Sequence, residues 1–156
     1  MDILEFFRSK TIQTNLNAVE WHKDSGVAAI YSPLVKEDLD FIGSQLNQPL
    51  PDLFQKFLLQ TNGLFYKKLT LYGLPVRGST KMDRTHLRPQ SIRIANQSWR
   101  LKYKMDSDQF MIGSKIGWTE NTGVFLSKEG VLTGSNSQGS AKIESFEHLF
   151  EWGQDA

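Results

Sequence analysis

Between Leu50 and Leu58 the apolar residues fall at Leu50, Leu53, Phe54, Phe57 and Leu58, the i, i+3, i+4, i+7, i+8 stripe of a single helix face. Pro51 suits a first helical turn, Asp52 favours the positive end of the helix dipole, and Asn62-Gly63 supplies a left-handed stop. "LPDLFQKFLLQTNG" therefore predicts a core helix. Upstream, Ser32-Pro33 reads as a helix start, and Val35, Leu39, Ile42 and Leu46 share a face, which predicts a helix to Leu46. After Gly63 the period switches to two. In "LFYKKLTLYG" Leu69 and Leu71 alternate with Thr70 and Tyr72, so a strand carrying Lys67 and Lys68 is expected to run straight out of the helix stop.

The rest of the chain follows the same two periods. Ile3, Phe6, Phe7 and Lys10 predict a short amphipathic first helix, and "AVEWH" and "GVAAIY" flank the turn-like "KDSG" as a hairpin. "SIRIANQSWRLKY" puts Ile92, Ala95, Trp99 and Tyr103 on one helix face, leaving Arg93, Arg100 and Lys104 to solvent. "QFMIGS", "TGVFLS" and "GVLTG" read as short strands, with "SKEG" as the hairpin turn between the last two and "SNSQGSAK" as a flexible connection. Ser145 caps a closing helix, "FEHLFEW", striped by Phe146, Leu149 and Phe150. This order is α+β, with a central antiparallel sheet flanked by helices.

With 156 residues and 39% hydrophobic content, the chain fits a single domain over 1–156 that buries a core without staples. The absence of cysteine removes thiol catalysis, disulfides and thiolate metal sites. "MDILEFFRSK" opens on an acid and lacks a basic n-region, and no stretch reaches the ~20 apolar residues of a membrane span. A cytoplasmic protein without membrane association is expected.

Charge changes the picture more than composition does. The formal net charge is +1, yet the segment from Lys67 to Lys104 holds ten Lys or Arg against one acid, Asp83, while the remainder holds eight against sixteen. A basic middle lies between acidic ends. Such a field can steer an acidic partner on to one face; the competing expectation is that the basic segment pairs with the protein's own acidic ends or is a solvated face. Four of those ten cations, Arg77, Lys81, Arg84 and Arg88, fall in a loop from Gly73 to about Pro89, long for a compact domain.

Candidate chemistry inside this loop is limited. "GLPVRGST" misses the phosphate-binding P-loop by one residue, with Ser79 where a lysine must reach the β and γ phosphates, and Pro75 removes a backbone donor. His22, His86 and His148 are too far apart in sequence to suggest a metal site. Ser114 in "IGSKIG" lacks the G-x-S-x-G spacing of a nucleophile elbow. The pairs Asp106/Asp108 and Glu37/Asp38 lie in polar stretches that keep them ordinary acids. No cofactor, metal or catalytic residue is predicted. Nucleic acid is a rival partner, since Tyr66, Tyr72, Trp99 and Tyr103 interleave with the cations. A pI of about 7.9 and sixteen acids outside the segment count against it. Trp99 reads as packing, and Trp118, in the polar "KIGWTENTG", reads either as a contact residue or as a lid on the sheet edge.

Three stretches together resemble the SUKH (SMI/KNR-like) superfamily, which gathers bacterial immunity proteins of polymorphic toxin systems with fungal cell-wall-synthesis regulators. They are "KEDLDFIGSQLNQPLPDLFQKFLLQTNG", "FMIGSKIGWTENTGVFLSKEGVL" and "SFEHLFEW", in the right order over about two thirds of the chain. Leu64 stands where many members have a second glycine after Asn-Gly, and the middle is basic where many carry acidic patches. The resemblance implies a SUKH fold and a non-catalytic protein-binding domain, an immunity protein that neutralises a cognate toxin by occluding it. An intracellular scaffold or regulator of the same fold is the alternative. The expected contact residues are Lys67, Lys68, Arg77, Lys81, Arg84, Arg88 and Trp118, facing a toxin or other protein with an acidic surface.

Overall fold

A computed structural model describes residues 11–13, 20–22, 28–31, 33–66, 68–75, 90–103, 108–117 and 120–154, with backbone alone for 11–13, 20–22, 28–30 and 153–154. The predicted first helix, the basic residues of the long loop and Trp118 lie outside them. The described chain is α+β. Nine strands form one antiparallel sheet in which each pairs with its sequence neighbours. They are β1 (Thr11–Gln13), β2 (Glu20–His22), β3 (Ala28–Ile30), β4 (Leu64–Tyr66), β5 (Leu69–Leu71), β6 (Phe110–Lys115), β7 (Thr122–Leu126), β8 (Leu132–Asn136) and β9 (Gly139–Ile143). The helices are α1 (Lys36–Leu46), α2 (Asp52–Leu58), α3 (Ile92–Gln97) and α4 (Phe146–Gln154), with a 3₁₀ turn over Trp99–Lys102. The last six strands and the helices hold the core.

Several sequence expectations are met. β2 and β3 pair antiparallel around the "KDSG" region, and Ser145 Oγ accepts from the His148 N–H at 3.1 Å to cap α4. Others need correction. α1 starts three residues after Pro33, where the Asp38 carboxylate accepts from the Val35 N–H at 3.1 Å, although it ends at Leu46 as expected, followed by Asn47 in the left-handed conformation at φ 56°. α2 ends at Leu58, earlier than the Asn62-Gly63 stop; Gly63 is left-handed at φ 77°, but it turns the chain into β4. The expected helix over 91–103 divides into α3 and the 3₁₀ turn, with Ser91 Oγ accepting from the Ile94 N–H at 3.1 Å.

Two corrections alter the topology. The single strand expected over "LFYKKLTLYG" is a hairpin, β4 and β5, and Lys68 lies in its turn instead of in a strand. Leu69, Thr70, Leu71 and Tyr72 are all buried, because β5 is central and covered on both faces. "SNSQGSAK" is the β8–β9 hairpin and not a flexible connection. β9 is an edge strand, exposed except at Ile143, so its glycine, serine, alanine and lysine gave no apolar alternation to read.

Register sorts the side chains into two faces. One face carries cross-strand rows Phe110–Leu126–Leu132–Ile143 and Leu64–Leu71–Gly113–Val124–Gly134–Ala141. α2 and α4 cover it. Phe54 and Phe57 stack at 5.4 Å, Phe57 stacks on Phe146 at 5.7 Å, and Phe54 reaches Phe110 at 6.3 Å. The opposite face carries Phe65–Thr70–Ser114–Gly123–Ser135–Ser140. α3 and the 3₁₀ turn cover its middle, with Trp99 edge-on to Tyr72 at 5.3 Å and Tyr103 edge-on to Phe125 at 6.0 Å. The expectation that Trp99 packs holds.

Candidate partner-binding site

The loop that carries the predicted contact residues leaves the fold at Gly73 and returns at Gln90. These two points are fastened together. The Gly73 N–H donates to the Gln90 carbonyl at 2.8 Å and the Ile92 N–H donates to the Gly73 carbonyl at 2.9 Å, forming a parallel bridge between Gly73 and Ser91. Asn62 adds a second fastening: its side-chain amide donates to the Leu74 carbonyl and accepts from the Leu74 N–H, both at 2.7 Å. Gly73 is required by this closeness, since a Cβ there would run into Asn62. Buried backbone groups need partners, and here one asparagine and one bridge satisfy the groups at the loop's neck.

Asn96 does the same work on the neighbouring strand. Beyond Tyr72, whose N–H donates to the Ile112 carbonyl, the chain departs from β6. The Asn96 amide donates to the Met111 carbonyl and accepts from the Met111 N–H, both at 2.8 Å, and it also donates to the Ile92 carbonyl at 3.0 Å. One side chain thereby extends the ladder by a residue and fixes α3 beside the neck. The sequence marked Asn62 only as part of a helix stop, and Asn96 carried no signal there.

Of the seven predicted contact residues, Lys68 alone is described. Arg77, Lys81, Arg84 and Arg88 lie beyond the neck, and Lys67 and Trp118 flank described residues. The described flanks nonetheless root these segments at different places. Lys68 sits at the far end of β5 from Gly73, about 16 Å away at ~3.3 Å per residue. Its carbonyl accepts from the Ile116 N–H at 2.9 Å, so the Lys67-Lys68 turn and the connection containing Trp118 attach at one end of the sheet. The roots of the Arg77–Arg88 segment attach at the other. Arg93 and Arg100 are half-buried, and Arg93 donates to Gln97 Oε1 at 3.0 Å.

Two concavities lie among the described residues. One, of about 320 Å³, lies between the α1–α2 connection and the start of β6. The other, of about 450 Å³, lies where Gly134 and Ala141 offer little side chain and the wall is Trp152 and His148 of α4. Lys115 stands 4.4 Å from the centre of the Trp152 ring, and His148 Nδ1 accepts from the Glu144 N–H at 3.2 Å. The β8–β9 turn beside it is pinned by Glu120, which accepts from Ser137 Oγ at 2.7 Å. Among the described residues, no group of three His, Asp or Glu converges as a metal site would require, and no helix is long and apolar enough to cross a membrane.

Among the described residues, the shifted acid–base equilibria belong to tyrosines. Burial pushes the Tyr72 hydroxyl far above its ordinary value, partly offset by its hydrogen bond with Ser114. Burial also raises Tyr66, and it raises Tyr103 with a further push from Glu120. All three stay protonated and act as packing groups with a polar handle. Comparison with protein-family models, with curated proteins and with solved structures finds no match for this chain.

Proposed function

We propose that this chain is a non-catalytic protein-binding domain of SUKH type, an immunity protein that binds a cognate toxin through the basic loop rooted at Gly73 and Gln90. One observation carries the reading. The neck is closed by two backbone bonds and the paired Asn62–Leu74 contacts, so a segment bearing Arg77, Lys81, Arg84 and Arg88 against the single Asp83 issues from one fixed point of a well-packed scaffold. Charged loops held on rigid scaffolds are a common construction for recognition, and a concentration of cations suits a partner with an acidic surface. The Lys67-Lys68 turn and the Trp118 connection attach at the other sheet end, and the loop cations are therefore the primary contact in this reading.

The test is affinity capture with tagged protein from nuclease-treated lysate of the native source, run beside the double charge reversal Arg84→Glu/Arg88→Glu. The expected result is one acidic or toxin-like protein held by the native chain and weakened about tenfold or more by the reversal, the size of one or two lost charge-assisted contacts. Equal retention by both proteins, or recovery of nuclease-sensitive nucleic acid alone, overturns the reading.

A further inference from the structure

The concavity of about 320 Å³ has the chemistry of a cation receptor. Its walls come from three places: the α1–α2 connection with Pro49 and Leu50, the first turn of α2 with Asp52 and Gln55, and the entry to β6 with Asp108, Gln109 and Phe110. Leu50 and Phe110 are buried and make an apolar floor. The polar groups around it are rich in acceptors. Asp52 and Asp108 are exposed carboxylates and belong to no ion pair among the described residues. Gln55 donates its amide to the Leu50 carbonyl at 2.7 Å, which leaves its oxygen as an acceptor. Gln109 is more telling, because its Oε1 is shielded from solvent and has no hydrogen-bond donor among the described residues. A buried acceptor without a donor is rare and calls for an explanation. Lys128 on the rim is the lining's single cation against two carboxylates.

We infer that this pocket binds an ammonium or guanidinium group carried on a short apolar stem. The carboxylates attract the charge, Leu50, Phe110 and the prolines cover the stem, and a turn of the Gln109 amide supplies an oxygen for one of the ligand's N–H groups. Small-molecule sites have this composition, a largely apolar concavity with a few placed polar groups. The pocket does not use the basic loop, and the inference does not rest on the proposed immunity role. The same chemistry is presented by a free amine and by an arginine side chain of a protein.

The experiment follows the Gln109 side-chain amide resonances of the ¹⁵N-labelled protein during titration with agmatine and with the peptide acetyl-Gly-Arg-Gly-amide. The peptide with citrulline in place of arginine serves as the uncharged control. Saturable shifts with agmatine alone assign the site to a free amine, and shifts with the arginine peptide assign it to a side chain. In either case Asp52→Asn/Asp108→Asn is expected to weaken binding about tenfold or more, and both positions are exposed, so the fold is kept. No shift at millimolar probe, equal response to citrulline, or unchanged affinity in the double variant overturns the inference.

Discussion

The two faces of the sheet solve the same burial problem with different chemistry. On the face under α2 and α4, the cross-strand rows are mostly leucine, valine, isoleucine and phenylalanine, with Gly113, Gly134 and Ala141 among them, and the helices answer with Phe54, Phe57, Phe146 and Phe150. On the face under α3, the row through the centre runs from Phe65 into threonine, serine and glycine, with Thr70 8% and Ser135 1% exposed; Trp99 packs there on Tyr72 and Tyr103 on Phe125, beside Asn96. The first face is held by area and shape. The second is held by matched hydrogen bonds as well, and it is the face next to the neck of the basic loop. Apolar packing tolerates small displacements of one ring against another, whereas a bond such as Asn96 to Met111 fixes position to a fraction of an ångström. The difference places the more directional interactions where a loop has to be rooted.

The largest effect should come from the first face. Phe57 is 2% exposed and lies between Phe54 and Phe146, so Phe57→Ala removes a ring from the middle of a stack and should cost about 3–5 kcal/mol. Urea denaturation checks this as a lower midpoint at unchanged slope. A loss below about 1 kcal/mol would mean that the rings are not a shared core and that the contrast between faces is false.

A smaller but more local loss is expected on the second face. Asn96→Ala strips the Met111 N–H and carbonyl of their partners, at about 1–3 kcal/mol, reduced by whatever water reaches this half-buried site. Asn96→Asp separates bonding from packing. It keeps an acceptor for the Met111 N–H but sets a carboxylate against the Met111 and Ile92 carbonyls, and it should be no better than alanine. Amide hydrogen exchange supplies the local readout: protection should fall at Met111 and Ile92 ahead of the strands under α4. A uniform loss of protection over both faces would show that Asn96 is ordinary packing.

How far the sequence disclosed this arrangement depended on which signal each element used. Elements marked by apolar period were legible: α1, α2 and β7 fall within the stretches their stripes predicted, and β6, β8 and α4 overlap theirs and run one or two residues further. β9 was not, since an exposed edge strand of glycine, serine, alanine and lysine has no buried row to alternate with. The β4–β5 hairpin was hidden for the opposite reason. Both strands are buried on both faces, and a continuous apolar run around two lysines looks like one long strand. That misreading moved Lys67 and Lys68 into a strand beside the loop, when the turn attaches at the other sheet end. The acceptor-rich pocket gave no sequence signal at all. Its residues come from 48–55, 108–110 and Lys128, stretches far apart in the chain, and Asp108 lies in a polar run that offers no pattern to read.

The smallest effect gives the sharpest test of the second face, because it can be read as a pH dependence. Tyr72 is 2% exposed, and burial holds its hydroxyl protonated far above the ordinary tyrosine range. In the unfolded chain the same hydroxyl ionises near pH 10. The folded state therefore binds more protons once the pH passes that value, and the stability contributed by the neutral hydroxyl is complete below pH 10 and lost progressively above it. Tyr72→Phe removes the titrating group together with its hydrogen bond to Ser114. At neutral pH it should cost about 1 kcal/mol, the net value of one such bond; above pH 10 the variant should lose stability less steeply than the native chain. Denaturation midpoints across the alkaline range decide it. If the two proteins decline in parallel, the Tyr72 hydroxyl reaches solvent, and the second face is not the closed, hydrogen-bonded layer on which the loop's root depends.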